Sequence, residues 1–138
     1  MNSRPDPPQP SAGKGKGCGL ALAIGALTIV VVSVTFSVAT GSPLNLREEL
    51  GVFLFQTLIV AAPFGVLSLA GIFDRMSWAV GLALTAAFWG YYLFEGITYQ
   101  LSDDMSGVNF ASIFLLMWSP VIIFAACFGV AKLGRKRS

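Results

Sequence analysis

Residues 20–39 read LALAIGALTIVVVSVTFSVA, a run of 20 positions without a charged side chain. As a helix rising 1.5 Å per residue it would be about 30 Å long, the thickness of a bilayer's hydrocarbon core. A β-barrel also satisfies its backbone in lipid, but its strands alternate polar and apolar residues, and ALTIVVVSVTF does not. The stretch therefore reads as a membrane-spanning helix. Extended outward, the same test finds four runs free of Asp, Glu, Lys and Arg, at 20–46, 51–73, 76–94 and 105–131. The expected fold is an all-α integral membrane protein, a four-helix transmembrane bundle with helices at about 18–40, 48–73, 77–99 and 108–131, together a domain over 18–131.

The composition agrees, with 55% hydrophobic and 12% charged residues in 138, against roughly a quarter charged in a soluble domain. The placement of the charges carries more than their sum. Arg4, Lys14 and Lys16 precede the first helix, Arg75 lies between the second and third, and Lys132, Arg135, Lys136 and Arg137 follow the fourth. Only Arg47 falls between the first and second helices, and no basic residue falls between the third and fourth. The positive-inside rule then predicts a multi-pass protein of the cell membrane with both termini and the Arg75 turn cytoplasmic. The basic 132–138 tail reads as an orientation signal with affinity for anionic lipid at Lys132, Arg135, Lys136 and Arg137, not as a nucleic-acid site.

Residues 1–17 are rich in Pro, Gly and Ser, lack a large apolar residue after Met1, and read as a flexible, disordered cytoplasmic tail. The rival reading of the first helix is a cleaved signal peptide, since Ser37-Val38-Ala39 fits a small-x-small site. Its apolar core is longer than the 7–15 residues typical of such peptides, so retention is expected. The second helix carries its own start signal. Asn45 followed by Glu48 resembles a capping box, and Glu48 and Glu49 sit where the helix dipole favours negative charge. The short FDRMS connection predicts that the third helix returns antiparallel beside the second. QLSDDMSGVN then forms the loop to the fourth. Aligning Pro63 with Pro120 also aligns Phe53 with Phe110 and Leu58 with Leu115, a faint trace of a duplicated hairpin.

With no His and two Cys, imidazole chemistry, a Ser-His-Asp triad and a tetrahedral thiolate site are all excluded within one chain. Cys18 and Cys127 read as small apolar residues, with lipid attachment at Cys18 as a minor alternative. No catalytic residue, metal site or cofactor is expected. Gln56, Thr57, Ser68, Ser112 and Ser119 offer neutral polarity suited to hydrogen bonds between helices. Pro63 and Pro120 are candidate kinks, because each removes a backbone hydrogen bond at mid-membrane. Ala79, Ala83, Ala86 and Gly90 form a stripe at i, i+4, i+7 and i+11, a candidate packing face for a helix of this chain or of a second copy.

Glu95 is the one carboxylate inside an aromatic stretch, FWGYYLFEGITYQ at 88–100. Counting about 27 Å of helix from Ser77 places it near the far membrane boundary, among Trp89, Tyr91, Tyr92 and Tyr99. Such an acid can reach headgroups or water. Enclosed by neighbouring helices it would instead be a candidate ion or proton site, with Tyr91, Tyr92 and Tyr99 as hydrogen-bond partners. Length and span count are similar to those of small multidrug transporters, but their embedded Glu lies in the first helix, and 18–40 carries no charge here. The expected role is a non-catalytic accessory or assembly component whose partners are the bilayer and itself or another membrane protein. The alternative is a small oligomeric transporter or channel using Glu95 and proline-broken second and fourth helices.

Overall fold

The computed structural model describes residues 12–102 and 110–137. It contains four helices: α1 (Ala12–Thr40), α2 (Leu46–Leu69), α3 (Arg75–Leu101) and α4 (Phe110–Arg137). All four are long and apolar enough to cross a bilayer, and only 17–33% of each span is buried inside the bundle. The outward surface is correspondingly apolar, with Leu27, Val38, Phe55, Leu58, Phe94, Phe110, Phe114 and Met117 all exposed. A soluble protein would bury such side chains; here they face lipid. This is a small multi-pass membrane protein.

Lipid explains why a run as β-branched as Ile29 to Val32 is helical. With no water to satisfy N–H and C=O groups, a helix is the local solution. The hydroxyls obey the same constraint. Thr28, Thr35, Thr40, Thr85 and Thr98 each donate to the carbonyl four residues earlier, at 2.7–2.8 Å.

Helix ends differ from the sequence reading in informative ways. α1 starts at Ala12, within the stretch expected to be a tail, so that residues 12–17 are helical backbone continuous with the span. Residues 1–11 of that tail and 103–109 of the α3–α4 loop lie outside the described residues. α2 ends at Leu69, four residues early. Gly71, at φ +71°, forms a Schellman motif in which its N–H reaches the Ser68 carbonyl (3.1 Å) and the Ile72 N–H reaches Leu67 (2.9 Å). The capping box expected at Asn45 is absent, since its side chain makes no cap bond. The side-chain cap falls on α3 instead, where Asp74 Oδ2 accepts from the Ser77 N–H at 3.0 Å and the Ser77 hydroxyl at 3.1 Å. At the chain's end, residues 132–137 form the last turns of α4 and not a separate tail, consistent with the high helix propensity of Lys and Arg.

The helices pack as two hairpins side by side. α1 packs most extensively on α2, and α3 on α4; α1 also lies against α3 and α2 against α4. α2 and α3 meet only briefly across a diagonal. The expectation that α3 returns beside α2 is therefore corrected: the five residues 70–74 carry the chain across the bundle to a new hairpin. Among the described residues the backbones of α1 and α4 do not approach each other.

The buried faces repeat every four residues. They run Gly17, Ala21, Gly25 and Ile29 on α1, and Ser77, Gly81, Thr85 and Trp89 on α3. A Cβ added at Gly25 would lie 2.6 Å from the Thr57 carbonyl oxygen. One added at Gly81 would lie 3.0 Å from both Cys127 Sγ and Phe64 Cε1. Around these approaches sit two clusters. Ile29, Val60 and Trp89 join α1, α2 and α3, while Leu67, Ile72, Ile123, Cys127 and Ala131 join the end of α2 to α4.

Neither proline breaks its helix: α2 is continuous through Pro63 and α4 through Pro120. At Pro120 the reason is visible. A helical residue there would donate its N–H to the Leu116 carbonyl, which proline cannot do. The Ser119 hydroxyl donates to that carbonyl instead, at 2.7 Å. Ser119→Ala should therefore destabilise the protein by about 1–3 kcal/mol by leaving a carbonyl unpaired in lipid. In a Pro120→Ala background, where the N–H is restored, the same substitution should cost less than half as much. Equal costs in the two backgrounds, measured by detergent-induced unfolding, would refute this compensation.

Candidate functional site

The sequence-predicted site residues do not converge. Glu95 is half-buried and lies six residues before the end of α3, at the end of the bundle opposite both described chain ends. Tyr91, one turn earlier, donates its hydroxyl to Glu95 Oε1 at 3.1 Å. Tyr99, one turn later, is exposed. Tyr92 points elsewhere, its ring edge-on to Trp89 with centroids 5.7 Å apart. Trp89 itself is 1% exposed and part of the core, not of an interfacial belt.

The stripe Ala79, Ala83, Ala86 and Gly90 is exposed at every position. Within this chain the packing face of α3 is the nearly opposite one, Ser77, Gly81, Thr85 and Trp89, so the stripe faces outward from the bundle. Lys132 is exposed, and Arg135, Lys136 and Arg137 lie in the helical backbone that follows it. The neutral polar residues also depart from expectation. Ser119 bonds within its own helix, and the hydroxyls of Thr57, Ser68 and Ser112 are buried with no partner among the described residues. Ser68 Oγ lies where a Cβ on Gly17 would come within 2.6 Å, so it packs against α1 without a bond across to it. Both cysteines are free, Cys127 buried and Cys18 half-buried. No group of three or more His, Cys, Asp or Glu able to hold a metal forms among the described residues.

What the fold does assemble is a cavity of about 260 Å³ between α1, α2 and α3 at the Glu95 end. Val32, Ser33, Phe36 and Ser37 of α1 form one wall, and Glu49, Val52 and Gln56 of α2 face them. Residues 42–44 of the connecting loop and Tyr92 complete the lining. The loop is tied down by the Ser37 hydroxyl, which donates to the Ser42 carbonyl, and by the Ser42 N–H, 3.4 Å from Thr40 Oγ1. Gly41, at φ +66°, turns the chain out of α1 so that the loop can fold back.

Sequence reading passes over this cavity because its parts look ordinary singly. Glu49 reads as a dipole partner, Tyr92 as a belt residue and Gln56 as helix glue. The available signal was Ser33 and Ser37 one turn apart on α1, together with an amide at position 56, but their meeting depends on which faces of three helices turn inward. A second cavity, bounded by Cys18, Ala21, Leu22, Leu58, Ala61, Ala62 and Gly65, is wholly apolar and opens along the α1–α2 seam. Comparison of the chain with protein families, with curated proteins and with solved structures finds no match.

Proposed function

We propose that this chain is a non-catalytic membrane component that acts by association, an accessory or assembly partner within the cell membrane. The observation that supports it most is the chemistry of the interior. Every buried polar side chain among the described residues is a neutral hydroxyl: Thr57, Ser68, Ser77, Thr85, Ser112 and Ser119. A proton or ion path through a bundle is ordinarily marked by ionisable groups facing its centre. Uninterrupted α2 and α4 add to this, because broken helices are what expose backbone groups to a transported substrate. Association has a surface available in the exposed small residues of α3, which let a second membrane helix approach closely.

The proposed orientation follows from charge. Lys16, Arg75 and Lys132 are exposed at one end of the bundle, whereas Glu48, Glu49 and Glu95 are at the other with Arg47. The first end is cytoplasmic by the positive-inside rule, and the basic end of α4 there contacts anionic lipid. Reporter fusions active only in the cytoplasm should work after Ser138 and beside Arg75, and fail beside Ser102. Activity beside Ser102 with silence after Ser138 would invert the orientation.

Reconstitution tests the role. Vesicles containing the protein and held at a membrane potential should show no proton or cation flux above empty vesicles. A flux that disappears in Glu95→Gln would replace this reading with that of a small oligomeric transporter or channel, for which half-buried Glu95 and the exposed Tyr91 bonded to it would be the site.

A further inference from the structure

The cavity between α1, α2 and α3 holds polar side chains for which the protein supplies no partner. Ser33, Gln56 and Tyr92 are half-buried, line the same space, and make no side-chain hydrogen bond to the described residues. Ser33 lies seven residues inside the end of α1 and Gln56 ten residues inside the start of α2, which is about 10 Å and about 15 Å of helix respectively. They therefore sit at the depth of the hydrocarbon, where an unpaired polar group is costly. Something polar belongs in the cavity.

Its charge and size narrow the choice. Glu49 is the one ionisable carboxylate in the lining, exposed at the rim, and no Lys or Arg lines the cavity. The partial positive charge at the α2 N-terminus is offset by Glu48 and Glu49 in its first turn. Phe36 and Tyr92 contribute aromatic rings to the lining, and the face of such a ring attracts a cation. The amide oxygen of Gln56 and the hydroxyls of Ser33 and Tyr92 are acceptors for ammonium N–H or for the polarised C–H groups of a quaternary ammonium. At about 260 Å³, the space is smaller than the ~300–1,000 Å³ typical of drug-sized ligands. It suits a small head group.

We infer that this cavity binds an organic ammonium of the ethanolamine or choline class, either free or as the head group of a lipid. Glu49 supplies the charge partner, Phe36 and Tyr92 the aromatic walls, and Gln56 and Ser33 the acceptors at the floor. The site adds a ligand to the association role proposed above and does not depend on it.

The test uses the full chain in nanodiscs of phosphatidylglycerol, which carry no amine. Ligand-observed NMR with choline and with ethanolamine should show saturable binding, weakened about tenfold in Glu49→Gln and unchanged in Glu48→Gln, a neighbour that does not line the cavity. The neutral isostere 3,3-dimethylbutanol, tested on the unsubstituted protein, should bind at least about tenfold more weakly than choline. This arm stands even if Glu49→Gln fails to fold. If the free amines do not bind, native mass spectrometry in mixed discs should show phosphatidylethanolamine retained over phosphatidylglycerol, which would identify a head group as the source. The inference fails if neither form binds, if the neutral isostere binds as well as choline, or if Glu48→Gln weakens binding as much as Glu49→Gln.

Discussion

The Cα of Gly25 lies against the backbone of α2, so close that a single added methyl would come within 2.6 Å of the Thr57 carbonyl and 3.1 Å of the Ala61 side chain. In water two helices are driven together by burying apolar surface. In lipid that drive is absent, and association depends on how closely two backbones can approach and how well their surfaces fit. Gly17, Ala21 and Gly25 give α1 a flat face one turn apart at each step, and Thr57, Ala61 and Ser68 of α2 lie along it. The same logic recurs where Gly81 admits Cys127 from α4 and Phe64 from α2. The cavity is a consequence. Past Ile29, where α1 carries Val32, Ser33 and Phe36 in place of glycine and alanine, the two helices no longer close on each other, and Tyr92 of α3 faces the gap.

Polar groups are handled by a second rule: satisfy them locally. Threonines return their hydroxyls to their own helices, Ser119 covers for Pro120, and Asp74 closes the start of α3. Where this fails, the exceptions fall into two kinds. Thr57, Ser68 and Ser112 are small hydroxyls enclosed by packing. Ser33, Gln56 and Tyr92 share a space large enough for a ligand. That contrast separates residues that fill the bundle from residues that recognise something.

The spans were legible because lipid imposes one requirement on composition, and each charge-free run supplies most of one helix among the described residues. Faces were not legible. With lipid on one side and a packed core on the other, both sides of α3 are apolar or small, and Ala79, Ala83, Ala86, Gly90 competes on equal terms with Ser77, Gly81, Thr85, Trp89. Helix ends were lost to competing local signals: Asn45 has the sequence of a cap without its bond, while Gly71 and Asp74, plain in the sequence, form the real end of α2 and start of α3. At the site, Glu95 drew the reading because a charge in an apolar run is conspicuous. Ser33 and Gln56 are inconspicuous until three helices bring them together.

The dependence of the fold on the α1–α2 approach is tested most directly by unfolding two glycine variants of the same helix in mixed micelles. Gly19 is exposed, and an added Cβ there meets nothing within 4 Å. Gly19→Ala should be neutral or stabilising by up to about 1 kcal/mol, through helix propensity alone. Gly25→Ala should lose about 1–3 kcal/mol, since the methyl must push apart two backbones that have no flexible side chain to yield. A Gly25→Ala protein as stable as the unsubstituted chain would contradict the account, because the two helices would then not be held by close backbone contact.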